Sequence, residues 1–462
     1  MEIENSLGRH VRRTLVLAWP MVLSRVGLIS MFTVDVVVLG RAGAGPLSEY
    51  VLGQAVIDSL VAMVIGLLIG VPVLVARETG AGRDAAAGTI WRRGLITAAS
   101  LGLALCALLQ FAPSFLRATG QTAELAESAG LVARILGASL PGLALFYVSA
   151  AFLEALHRPL PAMLAIGLGN LVNLALNILL VFDAGPLPAL GAPGCALASV
   201  ITFALLAIGM GCYVRFVLPG RQRYGIGVPA AGTSDGLHQL RLGLAAGGSH
   251  LFEASSFTVM TLFIGWIGII ALAAHGVLFQ ILAITFMVAF GIAGATQVRV
   301  GNAWGRGDAR GIAMAGWTGL ALAALLTALA GLAVAVAPRA TLGLFTSDEA
   351  VVAAALPVLS WVLLALVFDG GQTVMSNACR GRGDAWMPTA LHFCSYWLVM
   401  VPAAWVFAFG LDQGLAGIYQ AIILASVVSL MVMSARFAWL AGRTIDAPPD
   451  LPPGPPPARA GR

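Results

Sequence analysis

The sequence predicts an all-α polytopic membrane protein, with twelve transmembrane helices in two pseudo-symmetric six-helix lobes. Three observations lead there. Of 462 residues, 59% are hydrophobic and only 10% are charged, whereas about one-quarter of a soluble domain is charged. Apolar runs of about 20 residues recur, long enough to cross a hydrocarbon core of roughly 30 Å. The runs are continuous, not alternating, which favours helices over a barrel.

The helices follow in order. The first run, 14–40, contains Pro20 and is a full span; no small-residue cleavage site follows it, so no cleavable signal peptide is expected. The second, 50–76, ends in GVPVLVARETGAGRD (70–84). Runs 93–113 and 130–153 come next, LHRPLPA (156–162) leads into 160–182, and GAPG leads into 194–216. The longest polar loop, 217–239, then divides the chain. Runs 240–266 and 270–298 follow, the latter ending in GATQVRVGNAWGRGD (294–308). The last four are 314–337, 351–377, 388–410 with Pro402, and 415–440. The echo of 70–84 in 294–308, and of 156–162 in RGDAWMPTA (382–390), suggests a repeat of six helices. An even number of helices per repeat makes the repeats parallel, related by an axis along the membrane normal. The expected parts are an N-terminal lobe (1–216), a cytoplasmic linker (217–239), a C-terminal lobe (240–440) and a proline-rich, disordered tail (441–462).

Arginine sets the orientation. The N-terminus, the even-numbered loops and the C-terminus hold 21 arginines, and the odd-numbered loops hold four, Arg41, Arg117, Arg134 and Arg339. This bias places both termini in the cytoplasm of a bacterial inner membrane.

Composition also excludes chemistry. All 26 basic residues are arginine, so neither a Walker phosphate loop nor a lysine Schiff base can form. The five cysteines form no CxxC and the six histidines no HExxH. No cofactor, enzymatic activity or nucleic-acid partner is expected, and nothing suggests more than a monomer. His275, a lone histidine placed in the short loop after the seventh run, reads as structural.

The informative residues are charges inside spans: Arg25, Asp35, Asp58, Glu253 and Asp369. Intramembrane carboxylates mark functional sites by default. Counting from Arg241 and from Arg380, Glu253 and Asp369 fall about 18 and about 16 Å from one face. Together they suit a hard cation or a proton, since oxygen ligands favour such ions. Asp35, Asn177 and Ser199 all fall about 9 Å from the other face, and Asn173 lies one turn deeper beside Asn177. Asp35 and Arg25 share a helix face but stand about 15 Å apart, too far to pair. Asp58, about two turns into the second helix, reads as a structural or vestibule residue. Pro20 could help the first helix bend.

These residues also form a family pattern. LAWPMVLSRVGLISMFTVDVVVLGRAGAGPL (17–47), NLVNLALN (170–177), GAPGCALAS (191–199), LFEASSFTVMTLFIGWIGIIALAAHG (251–276), QVRVGNAWGRGD (297–308) and FDGGQTVMSNACRGRGDAWMP (368–388) occur in the order of the multidrug and toxin extrusion (MATE) family. The chain resembles its bacterial NorM-like branch. The resemblance implies two lobes around a cleft open to one side at a time. It also implies export of small organic cations against entry of Na+ or H+. By resemblance, Glu253 and Asp369 match the second-lobe cation site, with Na+ as the metal, and Asp35, Asn173 and Asn177 match the first-lobe site. Ser199 stands where that family often has threonine. Asp58 and the Gly370–Gly371 pair after Asp369 depart from its pattern.

The alternative is a lipid-linked oligosaccharide flippase of the same superfamily. It should carry basic residues in its cavity to grip pyrophosphate. The sequence shows mainly acidic intramembrane charge, with only Arg25 basic, which favours the exporter.

Overall fold

The structure is a computed structural model and describes residues 7–120, 122–182, 189–227, 236–346 and 348–443. Among these, twelve helices are long and apolar enough to span a membrane. They are α1 (Gly8–Ala42), α2 (Gly45–Gly80), α3 (Ala86–Ala118), α4 (Ala123–Ala155), α5 (Leu160–Val181), α6 (Ala192–Val217), α7 (Gly236–Ile267), α8 (Ile270–Gly305), α9 (Ala309–Val336), α10 (Glu349–Gly381), α11 (Trp386–Gly410) and α12 (Gly414–Gly442).

Most helices run past their apolar stretch because charged side chains tolerate the membrane surface. The α8 helix continues to Gly305, carrying Arg299 inside it. It stops where Gly307 takes φ 72° and Asp308 caps α9, accepting from the Gly311 amide at 2.7 Å. Proline explains the internal breaks. Pro72 leaves the Leu68 carbonyl without its helical donor, and α2 turns at Leu68–Ile69; Pro141 follows a similar turn in α4. In α11, Pro402 is flanked by π-helical turns at Cys394–Met400 and Val406–Gly410. At Pro20, by contrast, α1 continues as helix.

The expected boundaries shift slightly. Helix α7 already starts at Gly236, so the end of the expected 217–239 linker is helical, and 228–235 lie outside the described residues. Helix α12 reaches Gly442, and the tail from 444 onward lies outside the described residues. Arg134, assigned to a loop by the sequence, lies inside α4 and donates to the Gln110 carbonyl at 3.0 Å. His275 likewise lies within α8, not in a loop, buried against the Tyr419 hydroxyl at 2.9 Å.

The repeat is visible in the packing. In the first half α1 packs on α5, α2 on α4, α4 on α6 and α5 on α6; the same pairs recur six helices later. Between halves, α1 meets α8 and α2 meets α7, which is one contact seen twice under a two-fold operation. The tight turns match too: α1–α2 and α7–α8 turn at single glycines, Gly43 (φ 129°) and Gly268 (φ 146°), where a side chain would strain the backbone.

Small residues seal one end of the seam between halves. A Cβ on Gly66 would lie 2.6 Å from Gly247 Cα, and Cβ atoms on Gly243 and Gly305 would strike the Leu67 and Arg77 carbonyls. Glycine permits this backbone-to-backbone approach of α2 with α7 and α8. These contacts lie in the half of the bundle nearer the start of α1 and the ends of α2, α8 and α10, here called the arginine-rich face.

Candidate functional site

On the other side of that seal, α2, α7, α8 and α10 enclose a cavity of about 490 Å³. Phe257, Phe279, Phe286, Met287 and Phe290 supply its apolar wall. Asp58, Glu253 and Asp369 supply its charge. Glu253 and Asp369, expected at one depth from opposite chain directions, are thus brought to one cavity. Asp58 joins them there, its Oδ1 accepting from Gln54 at 2.7 Å.

Asp369 is held on one side only. Its Oδ1 accepts from Tyr396 Oη at 3.0 Å, Gln372 Nε2 at 3.2 Å and Ser426 Oγ at 3.4 Å. Its Oδ2 has no donor among the described residues and belongs to the cavity wall. The following glycines serve close approach, not bending: α10 runs unbroken to Gly381, and a Cβ at Gly370 would lie 2.8 Å from that of Ala289 on α8. Glu253 lies within reach of Tyr396 as well, and His250 Nδ1 stands 3.7 Å from its Oε2. Behind the pair runs a buried polar chain: Gln372 Oε1 meets His392 at 2.8 Å, His392 meets Ser249, and Arg380 donates to Ser249 at 2.9 Å. Arg380, used above as a surface marker for depth, is therefore buried inside α10 at 1% exposure.

The first half holds a second, closed site. Asp35 accepts from Asn177 Nδ2 at 2.6 Å on Oδ1, and from Tyr50 Oη at 2.8 Å and Ser199 Oγ at 3.0 Å on Oδ2. Asn177 also donates to Asn173 Oδ1 at 3.0 Å. Asp35, Asn173 and Asn177 are fully buried. The expected cluster of Asp35, Asn173, Asn177 and Ser199 is assembled, and Tyr50 completes it. Asn173 Nδ2 and Asn177 Oδ1 are buried without partners. Such orphans inside a membrane protein point to a small polar guest or a switch of geometry. Arg25 is not part of this site. It pairs with buried Glu154 at 3.1 Å and lies over Tyr147 and Phe290.

Sequence reasoning passed over Tyr50, Glu154, Gln372, Tyr396 and His392. Gln372 carried a usable signal, since it sits one turn from Asp369 on the same helix face. The tyrosines carried none, being uncharged.

One expectation is corrected outright. Intramembrane charge looked almost wholly acidic, but a cavity of about 1080 Å³, larger than the acidic one, lies at the arginine-rich face and is lined by Arg9, Arg12, Arg13, Arg158, Arg299 and Arg306. The sequence concealed it because these arginines come from three separate places in the chain: the start of α1, the α4–α5 turn and the end of α8.

The MatE family profile matches residues 20–179 and 245–406. The chain belongs to the MatE family. Two curated MatE relatives carry the same description, probable multidrug resistance protein NorM. The Caulobacter vibrioides protein is 38% identical over 92% of this chain and 90% of its own. The Pseudomonas aeruginosa protein is 31% identical over 94% of this chain and 91% of its own. Among solved structures, an outward-facing multidrug resistance MATE transporter superposes with TM-score 0.84 at 20% identity, covering 93% of this chain and 96% of that one. The eukaryotic MATE transporter AtDTX14 also gives 0.84 at 20% identity, covering 95% and 98%. At that identity the structures establish the MATE fold alone; membership of the MatE family, with its curated NorM relatives and twelve apolar helices, makes the chain a multi-pass transporter and not an enzyme.

Proposed function

We propose that this MatE protein is a secondary active antiporter, exporting organic and mostly cationic compounds in exchange for Na+ or H+ by alternating access. One observation carries the reading: Glu253 and Asp369 face a single apolar-walled cavity, and Asp369 offers it an unshared carboxylate oxygen. Aromatic and methionine surface suits lipophilic bodies of varied shape, while the acids favour positive charge.

Na+ or H+ is here a transported ion. A sodium ion would take oxygen ligands from Asp369 and Glu253, whereas a proton would occupy one carboxylate. Either neutralises the charge that holds an organic cation, so ion entry favours substrate release. Coupling requires each ligand to prefer a different lobe arrangement. Asp35, caged by Tyr50, Asn177 and Ser199, is the second candidate for a coupling proton. Pro20 is a candidate bending point for α1 between arrangements. The N-terminal and C-terminal lobes, 1–216 and 240–440, would be the moving bodies, and a monomer suffices.

Arginine bias places the arginine-rich face, with both termini, in the cytoplasm of the inner membrane. The arrangement described, sealed at that face, is then the one that discharges outward. The flippase alternative is disfavoured for this cavity, because three carboxylates would repel a pyrophosphate headgroup.

Ethidium efflux from liposomes under imposed Na+ or H+ gradients tests the reading. Na+-driven efflux in wild type and its loss in Asp369→Asn is the expected result. Efflux driven only by H+ and indifferent to Asp369→Asn would move coupling to Asp35. No efflux under either gradient would overturn the exporter assignment.

A further inference from the structure

The 1080 Å³ cavity at the arginine-rich face lies away from the acidic one, and the transport cycle proposed above does not use it. It is bounded by the start of α1, the α4–α5 turn, and the α8–α9 turn. Six arginines line it against one carboxylate, Asp308, whose Oδ1 is already engaged by the Gly311 amide at 2.7 Å. None of the six is ion-paired among the described residues. Two of them are held in place by neutral groups. Arg299 donates to Thr14 and lies 2.6 Å from His10 Nδ1, and Arg306 donates to Asn302. His10 is 6% exposed, lines the cavity, and its Nε2 has no partner. His157, in the α4–α5 turn, lines the same cavity.

So much unneutralised positive charge converging on one cavity calls for an anion, and guanidinium groups match phosphate oxygens in pairs. The cavity wall is not wholly polar. Val16, Trp19 and Leu160 line it and are 59%, 49% and 47% exposed, on helices that face the bilayer. A soluble anion would leave that apolar rim unused. We infer that this cavity binds the phosphate headgroup of an anionic phospholipid from the leaflet at the arginine-rich face, with its acyl chains lying along Val16, Trp19 and Leu160. Basic pockets between membrane helices are suited to such headgroups. The cavity joins α1 and α5 of the first half to α8 and α9 of the second. A bound lipid would therefore favour the arrangement in which that end stays closed.

The test is lipid titration of the purified full-length protein in detergent, followed by native mass spectrometry. The probes are palmitoyl-oleoyl phosphatidylglycerol, the matching phosphatidylcholine, glycerol phosphate and inorganic phosphate. Saturable phosphatidylglycerol binding is expected, weakened about thirtyfold in Arg12→Gln/Arg158→Gln, since each basic side chain near an anionic lipid is worth roughly a factor of five. Neither arginine's side chain makes a hydrogen bond among the described residues, so folding should survive; Arg13→Gln alone, expected to weaken binding about fivefold, provides a second reading. The charge-matched pair Arg310→Gln/Arg443→Gln, outside the cavity, should change binding by less than about twofold. Equal loss in that control, or equal binding of phosphatidylcholine, would overturn the inference. Displacement of phosphatidylglycerol by millimolar glycerol phosphate or inorganic phosphate would assign the cavity to a soluble phosphate instead.

Discussion

In the first half, both oxygens of Asp35 are occupied by donors from three other helices, and solvent does not reach it. In the second half, Asp369 gives one oxygen to a similar set of donors and turns the other toward a cavity shared with Glu253 and Asp58. The two halves share a helix arrangement but use their buried acids differently. A carboxylate enclosed by hydrogen bonds is structurally committed and gives up a proton only when its cage rearranges. A carboxylate with a free oxygen can take a cation without any donor moving. One half thus resembles a latch and the other a port, and mutations should separate stability from ligand affinity along that line.

The largest contrast should come from a third acid. Glu154 neutralises Arg25 in the first half, with both side chains buried. Removing it in Glu154→Ala strands a guanidinium in the interior, and about 3–5 kcal/mol of stability should be lost. Glu253→Ala opens onto a wetted cavity and should cost less than about 1 kcal/mol. Reversible unfolding in mixed micelles measures both. Equal losses would mean that Glu253 is a structural residue, and the port would lose its argument.

A smaller contrast comes from the tyrosines. Tyr50→Phe removes a donor from a fully enclosed carboxylate and should cost about 1–3 kcal/mol. Tyr396→Phe leaves Gln372 and Ser426 on Asp369, so about 0.5–1.5 kcal/mol is expected. Because Tyr396 also neighbours Glu253, its loss should alter the ion concentration giving half-maximal efflux, while that for Tyr50→Phe should change less. The reverse pattern would exchange the roles of the two halves.

The fold was legible because hydropathy and arginine placement are properties of single segments. The six-helix repeat was legible too, since Gly/Arg/Asp turns recur at 70–84 and 294–308. Depth counting brought Glu253 to Asp369 and Asp35 to Asn177 because helix rise is constant. The count from Arg380 held even though that marker is itself buried, because the offset along α10 is small. Depth counting missed Glu154, which lies one residue beyond the expected end of its span. The arginine-lined cavity could not be seen along the chain at all, since only the tertiary packing brings the ends of α1 and α8 and the start of α5 together. Partners that lie next to each other only in space, such as Tyr50 and Tyr396, leave no periodic trace.

The smallest effect tests Asp58, the cavity acid that departs from the family pattern. It is open to the cavity and, among the described residues, bonded only to Gln54 of its own helix. Asp58→Asn should leave stability within about 0.5 kcal/mol. In a wetted cavity the lost attraction for a cation at contact is roughly 1 kcal/mol, which corresponds to about fivefold in apparent ethidium affinity. Transport of an uncharged substrate of similar shape should not change. If neutral and cationic substrates lose affinity alike, Asp58 shapes the cavity wall, and the charge preference rests on Glu253 and Asp369 alone.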